Sequence, residues 1–283
     1  MKKSYSNILT FNRKTLGKTI NYLKNGNVAA LPTETVYGLG GNAYKESSVL
    51  KIFNLKGRPK SNPLIIHYYN LYDAINDIEI NEYFLKLYKQ FCPGPITFIL
   101  NKKIHTKINH LASAKLKTVA VRFPKHKIIR SILKKIDFPL AMPSANKSEN
   151  ISPVCAEDVL DEFKNKVRVI MDGGKCKIGL ESTVIDLTNI PEILRPGIIN
   201  KNLIEKVLKL KFKKKAINKI VKSPGMMKKH YSPGIPVLIN QKKHDEKSAF
   251  IYLGSRYQNK KKFFSLSKKS NLNEAASNLY KIF

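Results

Sequence analysis

The chain has 283 residues, 42% of them hydrophobic, which supports a real core and leaves room for one large domain and a smaller one. No apolar run of about 18 residues could span a bilayer, and Lys2 and Lys3 are followed by no signal-peptide apolar core, so a soluble, cytoplasmic protein without a membrane partner is expected. The formal charge of +32 suits phosphate contact, yet only seven of the 52 Lys and Arg residues are arginines and the lysines are scattered among Asn and Ile, a pattern of compositional drift.

Over 13–25 the apolar residues Leu16, Ile20 and Leu23 fall on one helix face, and Gly26 follows where a left-handed cap would sit. Residues 28–31 are a short apolar run ended by Pro32, which predicts a buried strand. The unit recurs: helices over 48–55, 81–91, 128–136 and 154–163 alternate with strands over 64–67, 96–100, 118–121, 139–142, 168–171 and 183–187. About seven strands interleaved with helices predict an α/β domain, a twisted mixed sheet with helices, over residues 1–210.

Beyond it the texture changes. Lys211, Lys213, Lys214 and Lys215 lead into Ser223-Pro224-Gly225-Met226 and Tyr231-Ser232-Pro233-Gly234, whose Pro-Gly turns predict an extended linker over 211–235. Strands over 237–239 and 249–253 and a helix over 273–283 would make a small C-terminal α/β domain, 236–283. Cys92, Cys155 and Cys176 form no Cys-x-x-Cys pair and read as reduced thiols.

Several predicted strands deliver a polar loop at one end, where ligands bind in open α/β sheets. Lys56-Gly57-Arg58-Pro59-Lys60-Ser61-Asn62-Pro63 packs cations and an amide into a Pro-bounded loop that runs into a strand ending at His67. Thr33-Glu34-Thr35, Pro93-Gly94-Pro95-Ile96-Thr97, Thr118 with Arg122, Pro143-Ser144-Ala145-Asn146, Asp172-Gly173-Gly174, Glu181-Ser182-Thr183 and Leu194-Arg195-Pro196-Gly197 complete the set. Singly, each has an ordinary structural reading: Gly38, Gly40 and Gly41 match no dinucleotide or phosphate-loop fingerprint, and neither Ser144 nor Ser182 sits in a nucleophile elbow. Jointly, cations and hydroxyls outnumber carboxylates, which suits a multiply anionic ligand and chemistry by positioning and charge. A divalent metal would then be held by ligand phosphates and water, and no protein metal site is expected. A basic RNA-binding module remains the alternative from another class, with weak RNA binding as its signature.

The ordered set Pro32-Thr33-Glu34-Thr35-Val36-Tyr37-Gly38-Leu39, Lys56-Gly57-Arg58-Pro59, Asn62-Pro63-Leu64, Val119-Ala120-Val121-Arg122-Phe123-Pro124, Pro143-Ser144-Ala145-Asn146, Glu181-Ser182-Thr183-Val184 and Leu194-Arg195-Pro196-Gly197 resembles YrdC-like threonylcarbamoyl-AMP synthases. Ser223-Pro224-Gly225-Met226 with His230-Tyr231 looks like the linker of the longer, two-domain form, so that residues 1–210 would be a YrdC-like catalytic domain and 236–283 a shortened Rossmann-like one. The resemblance implies synthesis of threonylcarbamoyl-AMP and pyrophosphate from L-threonine, bicarbonate and ATP, with Mg²⁺, the product passing to a tRNA threonylcarbamoyltransferase. It also implies that Lys56, Arg58, Asn62, Thr118, Met142, Ser152, Arg195 and Ser223 hold ATP, with Lys56 and Arg58 at the reacting phosphates. Thr35, His67, Arg122, Ser144 and Ser182 would hold threonine, with Arg122 the fork for its carboxylate and Asn146 buttressing the pocket. The carbamoyl-transfer domain of larger hydrogenase-maturation proteins shares the expected fold, but zinc-type cysteine pairs are missing here. This chain departs from the family pattern at Glu149, where Gly is usual, at Val154, where Thr is usual, and at Met227, Lys228 and Lys229 in the linker.

Overall fold

The structure is a computed structural model and describes residues 6–212, 232–241, 244–245, 247–257 and 260–283. In chain order its elements begin with β1 (Ile8–Thr10), α1 (Arg13–Lys24), β2 (Ala29–Leu31), β3 (Gly38–Asn42), α2 (Glu46–Lys56), β4 (Ile65–His67), α3 (Leu71–Ala74), α4 (Glu82–Phe91), β5 (Ile96–Asn101) and β6 (Thr118–Arg122). They continue with α5 (Lys127–Leu133), β7 (Leu140–Ala141), α6 (Ala156–Phe163), β8 (Ile170–Asp172), β9 (Thr183–Asp186), β10 (Glu192–Arg195), α7 (Lys201–Leu208), β11 (Phe250–Tyr252), β12 (Phe263–Ser265) and α8 (Leu272–Ile282).

The first ten strands form one mixed sheet in the order β1-β8-β2-β3-β7-β4-β6-β5-β9-β10. Strand alternation explains how it is covered. Ala30, Leu39, Ile66, Phe98, Val121 and Ile185 join the main core with Ile52 and Phe53 of α2, Phe84 and Leu87 of α4, Val159 of α6 and Ile204 of α7. Their neighbours Ala29, Leu31 and Leu140 pack on the opposite side against Ile20 and Leu23 of α1 and Ile129 and Ile132 of α5. On that second side the β4-β6-β5-β9 half carries only a small cluster, Ile65, Ile99, Ala120 and Val184, with no helix residue among its members. This half is the floor on which the polar loops converge.

Local chemistry sets the helix ends. Asn12 and Thr15 form a reciprocal capping box at α1, with the Asn12 side chain accepting from Thr15 N at 2.9 Å. Gly57 closes α2 at φ +58°, a left-handed conformation that costs glycine little, and Arg58 N donates back to Phe53 O at 3.0 Å.

The mixed α/β sheet is as expected, with ten strands where about seven were read. Strand β3 forms where Gly38, Gly40 and Gly41 give no strand signal, and the short strands β1 and β10 and helix α7 lie outside the expected elements. In the C-terminal part, β11 and β12 pair in parallel and α8 follows, but 237–239 forms no strand, and Val237, Leu238 and Ile239 are exposed. Helix α8 returns to the main unit: Tyr280 packs against the main core, and Lys281 Nζ lies 2.7 Å from Asp158 Oδ1. Among the described residues no helix is long and apolar enough to cross a membrane.

Candidate active site

Strand β4 is the spine of the site. It pairs in parallel with β6, with Ile65 opposite Ala120 and His67 opposite Arg122. The loop carrying Arg58 and Asn62 therefore enters near Thr118, at the start of β6, while His67 and Arg122 share the other end. Arg58, His67, Arg122, Met142, Ser144, Ser182 and Arg195 all line one small pocket of about 40 Å³, with Thr33, Val36, Gly38, Ile65, Pro143 and Glu181. A cavity of about 870 Å³ lies elsewhere, among Tyr44, Tyr68, Tyr69 and Tyr72, but it gathers none of these cations.

At the loop end, the cations fold back onto the protein. Arg58 donates from Nε to Asn62 O (2.9 Å) and from Nη2 to Asn62 Oδ1 (2.5 Å) and Pro63 O (2.8 Å). Burial, and then the charge of Arg195, lower its pKa to about 9, so it stays a cation at neutral pH. Lys56 is fully buried and donates from Nζ to Ser144 O at 2.6 Å and to Asn146 O. Burial and then Arg58 pull its pKa well below the ordinary value.

At the other end, Arg122 Nη2 donates to Glu34 Oε1 at 2.6 Å, and Glu34 Oε2 accepts from the backbone N–H groups of Lys125 (2.9 Å) and His126 (3.2 Å). Burial alone would raise the Glu34 pKa; the Arg122 charge and these hydrogen bonds outweigh it and hold the carboxyl below its usual range. Arg122 Nε is buried with no hydrogen-bond partner, a donor left over beside the pocket. His67 is held neutral, its pKa lowered to about 3 by burial and then by Arg122.

Between the two ends stands Ser182. Its hydroxyl lies 2.7 Å from Thr97 Oγ1, and Arg195 donates to its carbonyl oxygen from Nε (3.1 Å) and Nη2 (2.9 Å). Arg195 Nη2 also reaches the Ser182 hydroxyl at 3.1 Å. An expected ATP residue and an expected threonine residue are thus joined directly. Ser152 is buried and donates to Glu181 Oε1, while Thr35 is buried against Thr33 Oγ1 at 2.8 Å; neither lines the pocket. Asn146 uses its amide nitrogen on Lys147 O (2.6 Å) and Asn150 O (2.8 Å), and its Oδ1 is buried without a partner. Met142 fills the pocket wall against Gly38, where a Cβ would come within 2.5 Å of the Met142 Cγ. Ser223, His230, Tyr231 and the altered linker positions 227–229 lie outside the described residues. The chain re-enters the description at Ser232, whose N–H donates to Glu149 O at 2.8 Å. Glu149 itself adopts φ +75°, which explains why glycine suits that position.

Sequence reasoning missed three features. Glu34 was visible only as an acid in a loop, and its pairing with Arg122 depends on two segments meeting in space. Thr97 stands out in sequence only as the one polar residue of an apolar run, and its place beside Arg122 comes from the antiparallel register of β5 and β6. Tyr280, whose hydroxyl donates to Glu181 Oε2 at 2.8 Å, had no sequence signal at all.

A mixed sheet whose open half-face gathers three arginines, a neutral histidine and several hydroxyls defines the class of α/β protein whose site chemistry suits an anionic ligand. A family model for Sua5, YciO and YrdC proteins, whose description is telomere recombination, matches residues 21–197, and one for the C-terminal domain of threonylcarbamoyl-AMP synthase matches residues 199–283. The chain belongs to the Sua5/YciO/YrdC family, in the form that carries this C-terminal domain. It is 41% identical to the threonylcarbamoyl-AMP synthase of Pyrococcus abyssi, the match covering 80% of this chain and 67% of that protein. The Bacillus subtilis protein of the same name is 38% identical over 82% of this chain and 68% of its own length. The Schizosaccharomyces pombe one is 35% identical over 80% of this chain and 64% of its own. The crystal structure of Pyrococcus abyssi Sua5 complexed with L-threonine superimposes with a TM-score of 0.88 at 34% identity, covering 99% of this chain and 88% of that one.

Proposed function

We propose that this protein is a threonylcarbamoyl-AMP synthase, joining L-threonine, bicarbonate and ATP with release of pyrophosphate. The observation that carries the reading is the placement of two polar subsites at the two ends of β4, Arg58 with Asn62 before it and His67 with Arg122 at its end. Family membership and the relatives that bear this name support it.

In this reading Lys56, Arg58, Asn62, Thr118, Met142, Ser152, Arg195 and Ser223 serve ATP. Lys56 and Arg58 exchange backbone carbonyls for phosphate oxygens when the nucleotide enters, which opens the small pocket. The donor set of cations and hydroxyls fits a Mg²⁺ carried by the nucleotide's own phosphates and water. Thr35, His67, Arg122, Ser144 and Ser182 serve threonine, and the spare Arg122 Nε supports a carboxylate contact. The threonine amine condenses with bicarbonate to a carbamate with loss of water, a carbamate oxygen bonds to the α-phosphorus, and the bond from that phosphorus to pyrophosphate breaks. Such chemistry requires alignment and charge neutralisation more than an acid or base. The product would pass to a tRNA threonylcarbamoyltransferase.

Purified protein is expected to release pyrophosphate only when threonine, bicarbonate, ATP and Mg²⁺ are all present. ATP turnover of equal size without threonine would overturn the reading.

A further inference from the structure

The site holds a carboxylate where an anionic substrate would bind. Glu181 lines the pocket with Arg58 and Arg195, is 9% exposed, and both of its oxygens are occupied by hydroxyls. Ser152 Oγ donates to Oε1, and Tyr280 Oη donates to Oε2 at 2.8 Å. Arg58 and Arg195 meanwhile direct their hydrogen bonds to Asn62, Pro63 and Ser182. Tyr280 reaches Glu181 from helix α8 of the C-terminal part, nearly a hundred positions further along the chain. The helix is seated closely on the loop that carries Glu181: a Cβ at Gly179 would lie 2.7 Å from Ser277 Cα. Lys281 pairs with Asp158 at 2.7 Å, and Lys175 donates to Asn278 Oδ1 at 2.5 Å, so the docking does not depend on the tyrosine alone.

A carboxylate that shares a buried pocket with two guanidinium groups competes for them with an anionic ligand if it is free to turn toward them. We propose that Tyr280 is a positioning residue for nucleotide binding, which keeps the Glu181 carboxylate turned toward Ser152 and away from Arg58 and Arg195, leaving both cations available to phosphate. The C-terminal helix thus takes part in the ATP subsite through one hydroxyl. The inference rests on the proposed use of ATP.

The test compares full-length wild type, Tyr280→Phe, Glu181→Gln, the double variant and Lys281→Ala. Each is assayed for Mg²⁺-dependent binding of a fluorescent ATP analogue and for the KM of ATP and of threonine in pyrophosphate release. Losing one hydrogen bond to a charged group predicts a roughly 10- to 150-fold weaker ATP affinity for Tyr280→Phe, with the threonine KM moved far less. Removing the charge as well should rescue it, bringing the double variant to within about 3-fold of Glu181→Gln alone. Lys281→Ala, which loosens the helix without touching Glu181, should keep wild-type ATP affinity. Unchanged ATP affinity in Tyr280→Phe, an equal loss in Lys281→Ala, or simple addition of the two single effects in the double variant would each overturn the inference while leaving the proposed reaction standing. A wild type that binds no nucleotide would overturn both.

Discussion

Arg122 and Glu34 form a buried ion pair at the floor of the site, 2.6 Å apart with side-chain exposures of 5% and 9%. Removing one partner leaves the other charge buried and uncompensated, so Glu34→Ala should destabilise the fold by about 3–5 kcal/mol in urea unfolding. The folded-state pKa of Glu34 is depressed, so its contribution is fully present above the ordinary value of 4.5 and is lost as the pH falls below it. The stability gap between wild type and Glu34→Gln should therefore hold steady at neutral pH and shrink in acid. A gap that widened in acid would contradict the pairing.

Arg122→Lys keeps a cation against Glu34 but loses the planar fork. The expected outcome is a threonine KM raised by roughly 10- to 100-fold, from the loss of a charge-assisted bidentate contact, with the ATP KM changed much less. Equal effects on both substrates in steady-state pyrophosphate assays would remove Arg122 from the threonine subsite.

His67 is neutral across the physiological range because burial and then Arg122 lower its pKa to about 3. Its neutral form is carried by the fold, whereas the unfolded chain takes up a proton near 6.5, so this stabilisation is complete above 6.5 and declines as the pH falls toward 3. The ring signals of His67 in NMR should show no titration between pH 5 and 8, a window set by the ordinary imidazole value of roughly 6.5. An inflection near that value in the folded protein would refute the assignment.

Glu149 adopts φ +75° on an exposed turn, where a side chain is strained and glycine is not. Glu149→Gly should be stabilising by roughly 0.5–1 kcal/mol, the relief of strain exceeding the added freedom of the unfolded chain. Thermal melts at matched pH measure it, and a lower Tm would show that the side chain contributes a contact worth more than the strain.

Much of the fold was legible because it is local. The apolar, β-branched-rich runs Ile65-Ile66 and Val119-Ala120-Val121 placed two strands and put His67 and Arg122 at their ends. Strand β3 was not legible, because Gly38, Gly40 and Gly41 have no β preference of their own. They are held in the sheet by pairing with β2 and β7, and Gly41 leaves room for Ile52 and Val28. The reverse error occurred at 237–239, where β-branched residues had no neighbouring strand to complete a ladder among the described residues.

The sequence by itself determined the α/β character, the family, and the types of residue available for an anion, since strand period, turn chemistry and ordered motifs are properties of neighbouring residues. It could also place Lys56 and Arg58 beside a strand that ends at His67. Only the tertiary structure decided how those charges are held: Lys56 on the carbonyls of Ser144 and Asn146, Arg122 on Glu34, Arg195 on Ser182, and Glu181 on Ser152 and Tyr280. All but the Arg195–Ser182 contact, which joins consecutive strands, link segments far apart in the chain, and which buried charge meets which partner depends on sheet order and helix docking. No local pattern encodes that choice.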